Sequence, residues 1–271
     1  MILPNFLIVG AMKAGTTALM ECMQDCEEIF MPPKELHFFN NDNNYKRGIE
    51  WYAKQFKNVS GEIAIGEKTP TYSYLPNVPN RIYKYIPQAK LIWIFREPVI
   101  RAYSNYWHYV INGIEHFDFE SAIYREEERL KEDFFKGYRK RSIYIEQVRR
   151  FLRYFPKDKM LFILFENFVC DPQSIFEQVF KFLGVSTTES LTMNKAGATR
   201  LPRSKKLAYI SRKLFGDTLL FKLIRKVNHK SIEGYPPMKE ETKLYLKKYF
   251  KEYNEQLAEL IEKDLSVWDN L

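Results

Sequence analysis

Cysteine is scarce. The 271 residues hold three, Cys22, Cys26 and Cys170. An odd number without paired-ligand spacing argues against a disulfide framework and against a zinc site, and leaves buried or incidental thiols. The four histidines are scattered and form no metal-ligating cluster. Long apolar runs are missing too. The opening "MILPNFLIV" passes straight into a first core strand, with no charged leader, cleavage site or segment of membrane-spanning length, so a soluble, cytoplasmic protein is expected. No repeat and no low-complexity linker divides the chain. A single domain over 1–271 is therefore expected, with a core over about 5–184 and a capping loop and basic, helical C-terminal part over about 185–271.

What is present suits an enzyme-sized fold. Hydrophobic residues make up 45% and aromatic residues 16% of the chain, enough for a substantial core. The net charge of +8 is placed unevenly: from Arg200 to Ser231 ten Lys and Arg face one acid, Asp217. That segment alone carries +9, so the rest is close to neutral and the basic excess is local.

Three apolar runs, "FLIV" from Phe6, "LIWIF" from Leu91 and "MLFILF" from Met160, are unbroken. Strands covered on both faces of a parallel sheet have this character. Helical segments are predicted between and after them over Val99–Asn112, Ser142–Phe155 and Pro172–Leu183. The last has Asp171 as N-cap, proline at its first position and Gly184 at its end. The alternation predicts an α/β fold, a P-loop-like central parallel sheet with helices on both faces and a C-terminal helical extension. From Lys239 to Glu262 an amphipathic helix is predicted to pack through Leu244, Tyr245, Tyr249, Phe250, Tyr253, Leu257, Leu260 and Ile261.

The first βα connection, "GAMKAGTT" over 10–17, has the makings of an anion site. Gly10 and Gly15 permit tight turns, Thr16 and Thr17 fall where a helix begins, and Lys13 supplies charge. The common phosphate loop, G-x-x-x-x-G-K-[ST], puts lysine after its second glycine. Here Lys13 precedes Gly15 by two residues. A second candidate is "LIWIFREPVIRAYSNYWHYV", a strand ending in Arg96, a proline turn, and a helix carrying Arg101 and Ser104. Arg96 and Ser104 could bind a second anionic group at the strand ends, or Arg96 could pair with a nearby acid.

Together these segments resemble the phosphosulfate- and 3'-phosphate-binding motifs of sulfotransferases that use 3'-phosphoadenosine 5'-phosphosulfate (PAPS). The resemblance is sharpest to the heparan-sulfate type of glycan sulfotransferase. "PPKELHFFN" from Pro32, "GIEWYAKQF" from Gly48, "GEKTPTY" from Gly66 and "RAYSNY" from Arg101 follow in that family's order, over about Phe6 to Gly184, with a weaker match at "NKAGATRLPRSKKL". The resemblance implies that Lys13, Ala14, Gly15, Thr16 and Thr17 hold the 5'-phosphosulfate and Arg96 and Ser104 the 3'-phosphate. It implies Glu35 as general base and Lys68 beside the transferring group, with no metal required and 3'-phosphoadenosine 5'-phosphate (PAP) as product. Arg200 and Arg203 are expected to contact phosphate from a capping loop, with plain surface charge as their rival.

The chemistry stands apart from the family. Lysines such as Lys13 and Lys68 offset the charge that builds on a departing phosphate oxygen. A carboxylate such as Glu35 takes the proton of an acceptor hydroxyl. His37 is the competing base; in an extended segment it points to the same side as Glu35. The acceptor is a hydroxyl or amine on a carbohydrate, lipid or small metabolite.

Two alternatives from other classes compete. A P-loop kinase using ATP would need an acid at a strand end, for which Glu166 in "FILFE" is the candidate. A noncatalytic module would dock a membrane or polyanion through the basic stretch around 200–231. For that stretch, packing against the domain ranks first, acceptor or peripheral membrane recruitment second and nucleic acid last.

Overall fold

Five short strands form a wholly parallel sheet: β1 (Phe6–Gly10), β2 (Ile29–Phe30), β3 (Ala64–Lys68), β4 (Lys90–Phe95) and β5 (Met160–Leu164), in the order β2-β3-β1-β4-β5. The structure is a computed structural model and describes residues 1–186, 199–232, 234–269 and 271. All five residues of β1 are buried, as is every residue of β4 beyond Lys90. Burial from both faces is why the sequence runs are unbroken and not alternating. With β1 in the middle, the chain leaves it first toward β3 and later toward β4. The carboxyl end of β1 is thus the switch point at which open α/β sheets bind ligands.

The described residues divide into two compact units. The first comprises Met1–Arg96, Tyr144–Asn194 and Tyr253–Leu271 and holds the whole sheet; the second comprises Glu97–Ile143 and Lys195–Glu252.

In the first unit helices surround the sheet. That over Pro172–Leu183 begins where Asp171 accepts from the Ser174 N–H (3.1 Å), with Pro172 in the first turn, and ends at Gly184, whose φ is 83°. Its Ile175, Phe176, Val179 and Phe180 are buried, each worth about 1.5–3 kcal/mol. Strand β3 was not foreseen. Its "AIGEK" carries a glycine and two charges, and it becomes a strand by pairing with β1, Phe6 opposite Gly66 and Ile8 opposite Lys68. A Cβ on Gly66 would overlap the Phe6 ring, so only glycine lets the two strands lie together there.

In the second unit the helix Pro98–Ile111 is capped by the Glu97 carboxylate, which accepts from the N–H groups of Val99 (3.0 Å) and Ile100 (2.6 Å). Arg101 is buried and structural, donating to Ser142 Oγ (2.7 Å), Asn105 Oδ1 (3.2 Å) and the Tyr138 carbonyl (2.7 Å). A short antiparallel pair, β6 (Thr199–Pro202) with β7 (His229–Ile232), brackets two helices, Lys205–Phe215 and Leu219–Val227.

Two sequence expectations need correction. The C-terminal helix, Glu240–Ile261, buries Leu246, Phe250, Leu257 and Ile261, whereas Leu244 is exposed. A 3.6-residue stripe fits either phase, and the packing surface chooses between them. The basic stretch was expected to pack its apolar side inward. Instead Leu214, Leu219, Leu223 and Val227 lie 61–80% exposed, and only smaller parts of these helices, such as Ala208 and Phe221, are buried. Among the described residues no helix is long and apolar enough to cross a membrane.

Candidate active site

Connections at the carboxyl ends of all five strands in the first unit build the site. After β1 the loop turns through Lys13 (φ 71°) and Gly15 (φ 89°) into the helix Thr16–Gln24. Gly15 is required twice over, by its left-handed backbone and because a Cβ there would lie 2.6 Å from the Phe165 ring. No side chain caps this helix at Gly15, so the positive end of its dipole and the first-turn N–H groups face the loop. Ala14 is fully buried beneath it.

At the end of β3 the alternation of side chains sends Lys68 and its neighbour Glu67 to opposite faces. Lys68, 5% exposed, donates from Nζ to Thr17 Oγ1 (2.9 Å) and pairs with Glu35 Oε1 (2.9 Å). The second Glu35 oxygen, Oε2, lies 3.2 Å from His37 Nε2, and His37 Nδ1 lies 3.3 Å from Asn40 Oδ1. One residue expected to hold phosphosulfate, Thr17, is thus joined to those expected to handle the proton in a chain of contacts, Thr17–Lys68–Glu35–His37.

Burial alone would push the Glu35 carboxyl up. The hydrogen bonds from His37 and Lys68, with the charge of both, outweigh it and hold the group below the usual carboxylate range. His37 moves the other way, its imidazole pushed up chiefly by the hydrogen bond to Glu35 against the opposing effect of burial. The segment is not extended as supposed, since His37 has φ 49°. The two side chains meet because the backbone turns there.

Glu67, beside Lys68 in sequence, is a buried carboxylate. It is 1% exposed and accepts three hydroxyls: Tyr52 at 2.8 Å, Tyr72 at 2.7 Å and Thr69 at 2.9 Å. Burial raises its pKa, opposed by those hydrogen bonds. Two of its partners reach the loop that carries Glu35 and His37. Tyr72 Oη accepts from the N–H groups of Phe38 (3.1 Å) and Phe39 (3.3 Å), and Thr69 Oγ1 accepts from the N–H of His37 (3.4 Å). Glu67 therefore fixes the backbone that presents Glu35 and His37. Replacing Glu67 by alanine strands buried hydroxyls at about 1–3 kcal/mol each. Glu67→Ala is expected to lower the denaturation midpoint sharply. Glu67→Gln, which keeps an oxygen for the two tyrosines, should lose clearly less; equal loss in both variants would refute the anchoring role.

At the end of β4 the Arg96 guanidinium donates to the Lys13 carbonyl (3.3 Å) and lies over the Phe165 ring at 4.7 Å. Phe165, just beyond β5, thus backs both Gly15 and Arg96. Sequence reasoning missed it, and nothing local marks it. Glu166, the acid a kinase would have needed, accepts from the Trp268 indole (3.0 Å).

The remaining candidates belong to the second unit. Ser104 is buried on the helix Pro98–Ile111. Arg200 is exposed on β6, and Arg203 donates from Nε to the His229 carbonyl (3.2 Å). The part of the weaker motif over 194–198 lies outside the described residues.

Residues 3–263 match the family described as "Sulfotransferase domain". Human heparan sulfate glucosamine 3-O-sulfotransferase 5 is 35% identical over 191 residues, 68% of this chain and 54% of that protein. Human bifunctional heparan sulfate N-deacetylase/N-sulfotransferase 3 is 32% identical over 96% of this chain and 30% of its own length. The chain thus spans about half or less of these relatives. A crystal structure of a sulfotransferase from Alicyclobacillus acidocaldarius superposes with a TM-score of 0.78 at 28% identity, covering 99% of this chain and 100% of that one. A match across nearly the whole chain, over a parallel sheet whose strand ends carry Lys13, Glu35, Lys68 and Arg96, has one reading: the protein belongs to the sulfotransferase family.

Proposed function

We propose that the protein transfers the sulfuryl group of PAPS to a hydroxyl or amine of a carbohydrate, with Glu35 as general base. The observation that carries this is the contact chain from Thr17 through Lys68 to Glu35, which joins an anion-binding loop to a proton acceptor. The carbohydrate class rests on the names of the two human relatives, which act on heparan sulfate.

The first unit fits the donor nucleotide. An uncapped helix start, a glycine held against Phe165, and the cations Lys13, Lys68 and Arg96 suit a polyanion. Lys13, Ala14, Gly15, Thr16 and Thr17 would hold the 5'-phosphosulfate, and Arg96 the 3'-phosphate. When bound, PAPS supplies an activated sulfuryl group. Glu35, kept ionised by His37 and Lys68, accepts the proton of the attacking group at a carboxylate oxygen. Lys68 and Lys13 bring positive charge to the loop where negative charge develops. His37 holds Glu35 in orientation from the side away from Lys68.

Calorimetric titration with PAP, 5'-AMP and ATP tests the assignment. PAP should bind well over tenfold more tightly than 5'-AMP, because the extra phosphate meets a forked guanidinium, a charge-assisted contact worth roughly 1.5–3 kcal/mol. Arg96→Ala should erase that preference and leave 5'-AMP binding in place. Tighter binding of ATP with magnesium than of PAP would favour the kinase reading.

A further inference from the structure

The helices Lys205–Phe215 and Leu219–Val227 turn large apolar side chains outward. On the first, Leu207, Ile210 and Leu214 fall at i, i+3 and i+7; on the second, Leu219, Leu223 and Val227 fall at i, i+4 and i+8. Each set makes one stripe, and exposure reaches 68% at Leu214, 78% at Leu219 and 80% at Val227. The sides turned away from the stripes are the packed ones, with Ala208 and Phe221 buried. The stripes are therefore not a core side caught half-packed.

Lys206, Lys213, Lys222 and Lys226, all exposed, flank the stripes. The lone acid of the stretch, Asp217, is paired with Arg212 at 2.9 Å, so nothing in the stretch offsets the lysines. Two such faces from separate copies would repel each other. A dissolved polyanion would satisfy the lysines and leave the leucines in water. An anionic bilayer takes both, because leucines enter the acyl boundary while lysine stems lie along it and keep their ammonium groups among the headgroups.

We propose that this helical pair is a docking surface for an anionic lipid bilayer, holding the protein peripherally at the membrane. Binding draws on two contributions, apolar insertion and attraction to anionic headgroups, and removing either should release the protein. The surface uses none of the residues assigned to donor binding or proton transfer.

The test is co-sedimentation of the full chain with vesicles of phosphatidylcholine, alone or with about 30 mol% phosphatidylserine. Wild type should partition to the anionic vesicles, not to the neutral ones, and should leave them at high salt. The variant K213Q/K222Q/K226Q should bind about a hundredfold more weakly, at roughly fivefold per basic residue. The variant L219S/L223S/V227S should lose binding with its charge intact. Both should bind PAP as wild type does, which reports folding. If the serine variant loses helicity, Val227→Gln, at the most exposed of these positions, supplies the same reading with the charge unchanged. Equal binding to both vesicle types, or to neither, overturns the proposal. So does heparin retention without vesicle binding, which assigns the face to a polysaccharide, and so does a dimer in analytical ultracentrifugation that the serine changes dissolve.

Discussion

Glu35→Gln is expected to lower kcat by about a hundred- to ten-thousandfold, with PAP affinity essentially unchanged. Glutamine keeps the shape of the side chain and an oxygen for Lys68, which lies 2.9 Å from Glu35 Oε1, but it cannot take a proton. Single-turnover measurement of sulfuryl transfer separates this from a binding defect. Full activity in the variant would pass the role of base to His37.

The pH profile makes the same distinction without mutation. A base works when deprotonated, so activity rises with pH through its pKa. Glu35 is held below the ordinary carboxylate value, so with Glu35 as base the acid limb of kcat/KM should lie below about pH 4.5. His37 is raised above the ordinary imidazole value, so a histidine base would put that limb above about pH 6.5. Stability follows the same sign. The depressed Glu35 contributes above its unfolded pKa, and the contribution is lost as pH falls through the lowered one.

Lys68→Met should lower kcat on the order of a hundred- to a thousandfold, the range seen when a preorganised donor is removed from a developing negative charge. Methionine fills the buried slot without the ammonium. A second effect identifies the cause. Once Lys68 is gone, burial of Glu35 is opposed by His37 alone, so the carboxyl should titrate higher and the acid limb should move upward. Turnover lost without that movement would mean that Lys68 does not hold Glu35 in the working enzyme. Lys68→Arg is not expected to rescue, since the slot presents Thr17 and Glu35 at 2.9 Å each to a compact ammonium, not to a planar fork.

The basic helical pair had a different standing in the sequence. A charge of +9 and an amphipathic pattern fit inward packing, a soluble acceptor and a membrane alike. The outward leucines remove the first, because apolar residues that pack are not left 61–80% exposed. Periodicity says that a helix has an apolar side, not what that side meets.

Residues whose conformation depends on near neighbours were readable in advance. The unbroken runs at Phe6, Leu91 and Met160 marked strands buried on both faces. Asp171, Pro172 and Gly184 marked the ends of one helix. The glycine and threonines of the first loop marked its turn and the start of the helix that follows, because turns and caps are set within a few residues. Tertiary structure decided the rest. It made a strand of "AIGEK" through pairing with residues 60 positions away, turned Lys68 into the site and Glu67 into a cluster of hydroxyls, and placed Phe165 behind both Gly15 and Arg96. The reason is physical: local propensity depends on a residue's own backbone and immediate neighbours, whereas a side chain's burial, its partner and hence its charge state depend on groups that only the folded chain brings together.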